Sequence, residues 1–289
     1  MDERSALGRL AERIGAAGDD AAVIDGLVVT TDMLHERTDF PAGTTRYTAG
    51  WRAVGASLSD VAAMGASATA AVAAYGAPTF EAAEIEAFVD GASDVCELTG
   101  AEYVGGDLDN HDEFTVAGTV VGRADRPVYR TGASAGEAVY VTGTLGRTGA
   151  AIREFERGNA DRGNDLFRFE PRVAAGRQLA PVATAMMDSS DGLARSLHQL
   201  AAASDCGFEV EWDRLPVDPS VEAVASDERE RRDLSTYFGE DFELVFTGPA
   251  TAVDAVRESV GTRISRIGTV TDDGVRADGD PLPDRGYSH

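Results

Sequence analysis

Lysine is absent from this sequence. All 26 basic residues are arginine, set against 50 acids, for a net charge of −24 over 289 residues. The absence removes chemistry. No GxxxxGK[ST] phosphate loop can exist, nor a kinase-type lysine, nor a Schiff base. Any phosphate handling must fall to metal ions, arginines and backbone N–H groups. Cysteine is scarce too. Cys96 and Cys206 lie far apart and form no CxxC, so neither a disulfide framework nor a zinc knuckle is expected, and a reducing cytoplasm is the expected setting. The histidines, His35, His111, His198 and His289, are scattered and suggest no catalytic triad. No apolar run approaches the roughly 20 residues that a bilayer requires. The opening MDERSALGRL is charged and has no apolar signal core, so neither a membrane partner nor export is expected.

Negative charge is what the chain has in excess. Such a surface repels DNA and RNA, so no nucleic-acid partner is expected. An acidic, lysine-free surface suits a cytoplasm very rich in salt, where screening acts over a few ångströms. In a salt-adapted protein most acids merely hydrate the surface. The informative ones sit in apolar context, where a carboxylate is rarely tolerated unless paired or metal-bound.

The hydrophobic share of 43% can build sizeable cores, and the length suits two domains. Residues 23–31 read as β-rich. A helix is expected over 48–64, since Trp51, Val54, Leu58 and Val61 share one face, with Gly65 as its stop. A buried strand follows at 68–76. Thr79 then caps a helix that ends near Gly100, and strands follow at 101–107 and 113–124. The turn-rich stretch 125–137 reads as a linker. Beyond it, a strand begins within 137–146 and leads into a helix, and 153–172 reads as an exposed connection. A strand at 181–187, a helix at 191–203, strands at 208–212 and 242–248 and a helix at 251–260 come next. A last hairpin is expected through Asp273-Gly274. This alternation predicts an α/β (α+β) chain in two domains, 1–130 and 131–289.

Five short segments place an acid in an apolar or Gly-rich setting: GDDAAVI, VVTTDML, SLSDVAAMGA, YVGGDL and AMMDSSDGL. The sequence pattern puts Asp32, Asp107 and Asp188 at strand ends and Asp60 inside an otherwise apolar helix. Carboxylates converging from separate elements can hold magnesium, which takes about six oxygens. Their repulsion would raise their pKa values unless cations fill the space. Taken singly, each has an ordinary reading. Asp19 and Asp20 could form a turn, Asp32 could end a strand, Gly105-Gly106-Asp107 could be a plain turn, and Asp188 or Ser190 could cap the next helix.

GDDAAVI, TTD, LSDVAAMGA, GGD, DSSDGL and GEDFELVFT occur in an order and spacing that resemble the thiamine-monophosphate kinases. That family belongs to the superfamily that includes aminoimidazole-ribonucleotide synthetase. The resemblance covers nearly the whole chain, and LSDVAAMGA, DSSDGL and GEDFEL together carry it. It implies an N-terminal domain whose sheet pairs with that of a second subunit, hence a homodimer, and a C-terminal α/β domain, with the site between them. It implies that Asp20, Asp32, Asp60, Asp107 and Asp188 hold several Mg2+ ions around the phosphates of ATP, with Asp191 on a further ion. Thr30 and Thr31 would add oxygen ligands. Gly106, Asp107, Arg130 and Ser190 would contact ATP, the co-substrate. Glu240 would meet the thiamine part of the acceptor, with Tyr287 near its ring. Where relatives often carry His-Phe this chain reads Asp39-Phe40, which puts Asp39 at a substrate-contacting position.

The reaction so implied is direct, magnesium-assisted transfer of the ATP γ-phosphoryl group to thiamine monophosphate. The acceptor oxygen is already ionised at pH 7, so no general base is expected. Three alternatives fit less of the pattern. One is another ATP-using enzyme of the same superfamily, one a phosphohydrolase with no acceptor, and one a non-catalytic acidic protein whose carboxylates are scattered over the surface.

Overall fold

The computed structural model describes residues 18–287 together with 9, 10, 13 and 14, so His289 falls outside the described residues. Strands β1 (Ala22–Ile24) and β2 (Leu27–His35) form a hairpin closed by Asp25-Gly26, both at positive φ. Asp-Gly is a favoured pair for such a tight turn. Strand β2 lies antiparallel to β5 (Thr115–Arg123). Strand β5 pairs with β3 (Ser67–Ala77), and β3 runs parallel to β4 (Glu102–Asn110). The sheet order is thus β1-β2-β5-β3-β4.

Helices α1 (Arg46–Ala63) and α2 (Ala82–Thr99) cover one face of this sheet. Thr45 caps α1 by accepting from the Thr48 N–H. The helices cross closely because glycines stand at the contact. A Cβ on Gly50 would lie 2.0 Å from the Phe88 carbonyl oxygen, and one on Gly91 2.0 Å from that of Tyr47. Helix α1 also packs against the segment Val173–Leu179 and strand β7 (Ala185–Asp188) of the second half, so it is buried nearly all round. That placement makes any polar side chain on α1 informative.

The second sheet has the order β12-β11-β8-β10-β6-β9-β7. Its strands are β6 (Ala138–Thr142), β7 (Ala185–Asp188), β8 (Gly207–Val210), β9 (Leu244–Gly248), β10 (Ile264–Thr271), β11 (Val275–Ala277) and β12 (Asp280–Pro281). Strands β6 and β9 and the edge strand β7 are buried along their whole length. Helices α3 (Arg147–Glu156) and α4 (Leu193–Ser204) lie in the same half. No helix among the described residues is long and apolar enough to cross a membrane.

Several expectations need correction. The segment 153–172 is not a mere exposed connection, for it holds the end of α3 and the helix Ala160–Phe167, whose Leu166 and Phe167 are buried. The cap of α2 is Glu81 rather than Thr79. Asp273-Gly274 does not close a hairpin. Strand β8 lies between β10 and β11, antiparallel to one and parallel to the other. A turn dipeptide reports only a local reversal, and strand neighbours are chosen by packing. Asp32 and Asp107 lie inside β2 and β4 rather than at their ends, whereas Asp188 does close β7.

Candidate active site

The site is assembled around α1. Gly118 on β5 has no side chain, and a Cβ there would lie 2.4 Å from the Ala53 carbonyl oxygen, so the helix sits directly on the sheet. This close seat brings two polar residues of α1 to β2. Ser57 Oγ donates to Asp32 Oδ2, and Thr30 Oγ1 donates to Asp60 Oδ2. Strand alternation decides the rest. Thr30 is buried beneath α1, whereas Thr31 is exposed on the opposite face and bonds to the Gly118 carbonyl. The two threonines therefore do not face the same site within the chain.

Two loops complete the cluster. Asp20, 9% exposed, is gripped by Arg130, with Nη2–Oδ1 at 2.8 Å and Nε–Oδ2 at 3.3 Å. Asp19, beside it, accepts from the Arg130 backbone N–H. Asp188 comes from the second sheet and is 1% exposed. Its Oδ1 accepts from the Ser190 N–H at 3.3 Å, while its buried Oδ2 has no hydrogen-bond partner. One carboxylate oxygen from each of Asp20, Asp60 and Asp188 lies within 4.8 Å of the others. The acids of the opening loop, the helix and the second sheet thus meet between the two halves.

Electrostatics mark the place as unfavourable for bare carboxylates. Burial and then the charges of Asp32, Asp188 and Asp20 push Asp60 well above the usual carboxylate range. Burial, then Asp20, pushes Asp188 up to about 7. Asp19 is raised to about 6, first by burial and then by Asp20. Burial opposes the Arg130 charge, but Asp20 outweighs it and holds the guanidinium above its ordinary value. Three convergent carboxylates with an unpartnered buried oxygen form an all-oxygen donor set. That fits a hard divalent cation such as Mg2+ and offers no nitrogen or sulfur for softer metals.

The loops after β7 and before β9 interlock. A Cβ on Gly239 would lie 2.5 Å from the Ser190 carbonyl oxygen. Gly239, Glu240 and Phe242 all hold positive φ, and the Glu240 N–H donates to the Ser190 carbonyl at 2.6 Å. On the far side of the same turn, the Asp191 carbonyl accepts from the Tyr287 N–H at 3.0 Å. Beside these loops opens a cleft of about 430 Å³ lined by Asp39, Phe40, Phe155, Phe238, Glu240 and Tyr287 among others. Tyr287 lies 5.8 Å from the Phe238 ring, and its hydroxyl donates to the Thr38 carbonyl. Asp39 is 5% exposed and accepts from the His35 N–H at 2.7 Å.

Asp107 stands apart. Asp32, Gly118, Ala73 and Gly106 form one row across the sheet, so the Gly106-Asp107 pair lies three strands from β2. At about 4.8 Å per strand that is roughly 14 Å. The pair borders a second groove, of about 360 Å³, with Tyr75, Phe88, Val89 and Tyr103.

Sequence reasoning missed Arg52, Ser57 and Ser59, all buried on α1. Arg52, like Asp60, is a charge within an otherwise apolar helix.

Comparison with known proteins agrees with this architecture. Residues 18–124 match the N-terminal domain, and 134–279 the C-terminal domain, of AIR synthase related protein. Over 291 aligned residues the chain is 60% identical to the thiamine-monophosphate kinase of Halobacterium salinarum, covering 100% of both proteins. It is 39% identical to that of Methanospirillum hungatei, covering 100% of this chain and 99% of the relative. The fold also matches the structure of AaThiL complexed with AMPPCP and TMP, with a TM-score of 0.91 at 26% identity over 100% of this chain and 97% of that one. Full-length identity of this degree, joined to the matched domains, places the chain in the thiamine-monophosphate kinase family.

Proposed function

We propose that the chain catalyses ATP-dependent phosphorylation of thiamine monophosphate to thiamine diphosphate at the Asp20–Asp60–Asp188 cluster. The observation that carries this reading is the meeting of these three acids between the halves, with the buried Asp188 Oδ2 unpartnered. Asp20, Asp60 and Asp188, with Asp32 hydrogen-bonded to Ser57 nearby, would hold Mg2+. When bound, magnesium neutralises negative charge on the transferring phosphoryl group. Arg130, fixed on Asp20, would clamp a phosphate oxygen, and the Ser190 hydroxyl would bind another. Asp191, in the same turn, is suited to a further cation. The groove beside Gly106 and Asp107 has the aromatic walls that suit a nucleotide base.

The acceptor fits the aromatic cleft, with Glu240 and Asp39 facing its cationic ring and Tyr287 beside it. A phosphate oxygen of the acceptor forms the new bond to the γ-phosphorus as the bond to the ADP oxygen breaks. That acceptor oxygen is ionised at pH 7, so no residue need remove a proton. Catalysis rests on alignment, which the interlocked loops around Ser190 and Glu240 supply.

The test is incubation at high KCl with ATP, Mg2+ and thiamine monophosphate, with products separated by chromatography. Thiamine diphosphate and ADP should form in equal amounts. ADP and free phosphate without thiamine diphosphate would overturn the reading in favour of a hydrolase.

The working unit we propose is a homodimer in the cytoplasm. Alternation places Met33, Val72 and Val104 on the sheet face away from α1, where they are 59%, 39% and 59% exposed. An apolar sheet face calls for a covering layer. The protein should sediment at twice the chain mass, and Met33→Glu with Val104→Glu should shift it to the monomer mass. A monomeric wild type at high salt would remove this proposal.

A further inference from the structure

Among the described residues, Arg52 is the only arginine that is fully buried, at 2% exposed. A buried guanidinium persists only when its charge and its donors are satisfied. Here Nη1 donates to the Phe167 carbonyl at 2.6 Å, and Nη2 donates to Glu240 Oε2 at 2.6 Å. The guanidinium carbon lies 3.7 Å from the Phe167 ring centroid, with Phe169 and Phe242 at 5.3 and 5.6 Å. Phe169 and Phe242 stack on each other at 4.2 Å. Arg52 is thus held in a fixed plane by rings and a carbonyl, and its remaining contact is the Glu240 carboxylate.

Glu240 lines the aromatic cleft, so Arg52 approaches that acid from behind. The backbone of Glu240 is fixed as well. It holds a φ of 58°, its N–H is bound to Ser190, and its carbonyl accepts from Thr148 Oγ1 at 2.7 Å. The wall of the cleft therefore presents two carboxylates, Glu240 and Asp39, against one buried guanidinium. Arg37 and Glu156 at the rim are of opposite sign and well exposed, so salt screens them.

We propose that Arg52 is a positioning residue: it pins the Glu240 carboxylate at the base of the cleft and thereby sets the affinity for the cationic ring of the acceptor, without touching the nucleotide. This rests on the acceptor assignment made above. Lysine could not replace it fully, since only a planar fork can bond Phe167 and Glu240 together while stacking on the rings.

The experiment is steady-state kinetics at high KCl on Arg52→Met, Arg52→Lys, Glu240→Gln and the Arg52→Met/Glu240→Gln double variant. Arg52→Met should raise KM for thiamine monophosphate about tenfold or more, the scale of one lost charge-assisted contact. Its KM for ATP should stay within about twofold, and Arg52→Lys should recover part of the loss. In the Glu240→Gln background the Arg52 change should add almost nothing, because the group it positions is gone. Equal rises in both KM values, or full additivity in the cycle, would show a purely structural clamp and overturn the proposal. Should Arg52→Met fail to fold by near-ultraviolet circular dichroism, the cycle is run with Arg52→Lys and judged by the same criterion. Failure of the wild type to make thiamine diphosphate would refute the acceptor assignment instead, and would be seen before any variant is compared.

Discussion

Asp60→Asn is expected to lower kcat by about a thousandfold, roughly 4 kcal/mol of transition-state stabilisation, while leaving the fold intact and more stable. The reasons for the two effects are the same. Asp60 lies between Thr30 and the carboxylates of Asp20 and Asp188. Burial and those like charges hold it well above the usual carboxylate range. Its ionised form is therefore costly to the folded chain when no cation is present. Asparagine has the same shape and can still accept the Thr30 hydroxyl, so the local geometry survives. What it removes is one negative charge, and with it a share of the attraction for a divalent ion. Thermal unfolding without divalent ions should show a higher Tm for the variant than for the wild type. Turnover within a few-fold of the wild type would mean that Asp60 is structural and that the cluster does not form the reaction centre.

The second large effect concerns pH and divalent ions together. A carboxyl whose folded-state pKa is raised binds its proton more tightly in the folded chain than in the unfolded one. Asp188 moves from an ordinary 3.8 to about 7, first through burial and then through Asp20. Its contribution to stability is accordingly nil below the unfolded value. It becomes a growing penalty as pH rises through that window, and is complete above about 7. The size is on the order of a few kcal/mol for this one group. Asp241, on the far side of the Glu240 loop, is also held at about 7 by burial, although it accepts from the Gly146 and Thr148 N–H groups at the start of α3. A pH titration of stability alone would mix the two. Magnesium separates them, because Asp241 is not part of the cluster. At constant high KCl, added Mg2+ should raise Tm more at pH 8 than at pH 6. Chelation at pH 8 should abolish thiamine diphosphate formation. An equal Mg2+ effect at both pH values would show that the ion binds elsewhere.

Both expectations depend on a meeting that no single segment announces. Within the sequence, the informative signal was an acid in the wrong company. Asp60 among Leu58, Val61 and Ala62 stands out because a helix face that reads as core should not carry a charge. Asp188 at the end of AMMD stands out for the same reason on a strand. Lysine-free composition sharpened the reading by removing the usual phosphate-binding side chain. The same logic, followed evenly, would have found Arg52, which sits in TAGWRAVGA with apolar neighbours. What hides it is that an arginine on a helix is so often a solvated one.

Chain order and local period alone determined that strands and helices alternate in two halves, that α1 is buried on the face marked by Val54, Leu58 and Val61, and which acids were worth attention. These follow from nearest-neighbour chemistry, since periodicity reports which face avoids water. Tertiary structure alone decided which candidates meet. It joined Asp20, Asp60 and Asp188, put Thr31 on the opposite face from Thr30, left Asp107 three strands away, and paired Arg52 with a glutamate 188 positions distant. It also split the expected last hairpin by inserting β8. Strand order and the seating of one half on the other are chosen by packing among residues far apart in the chain. A glycine such as Gly118, which lets α1 touch the sheet, matters only through what it faces, and that is not written in its neighbours.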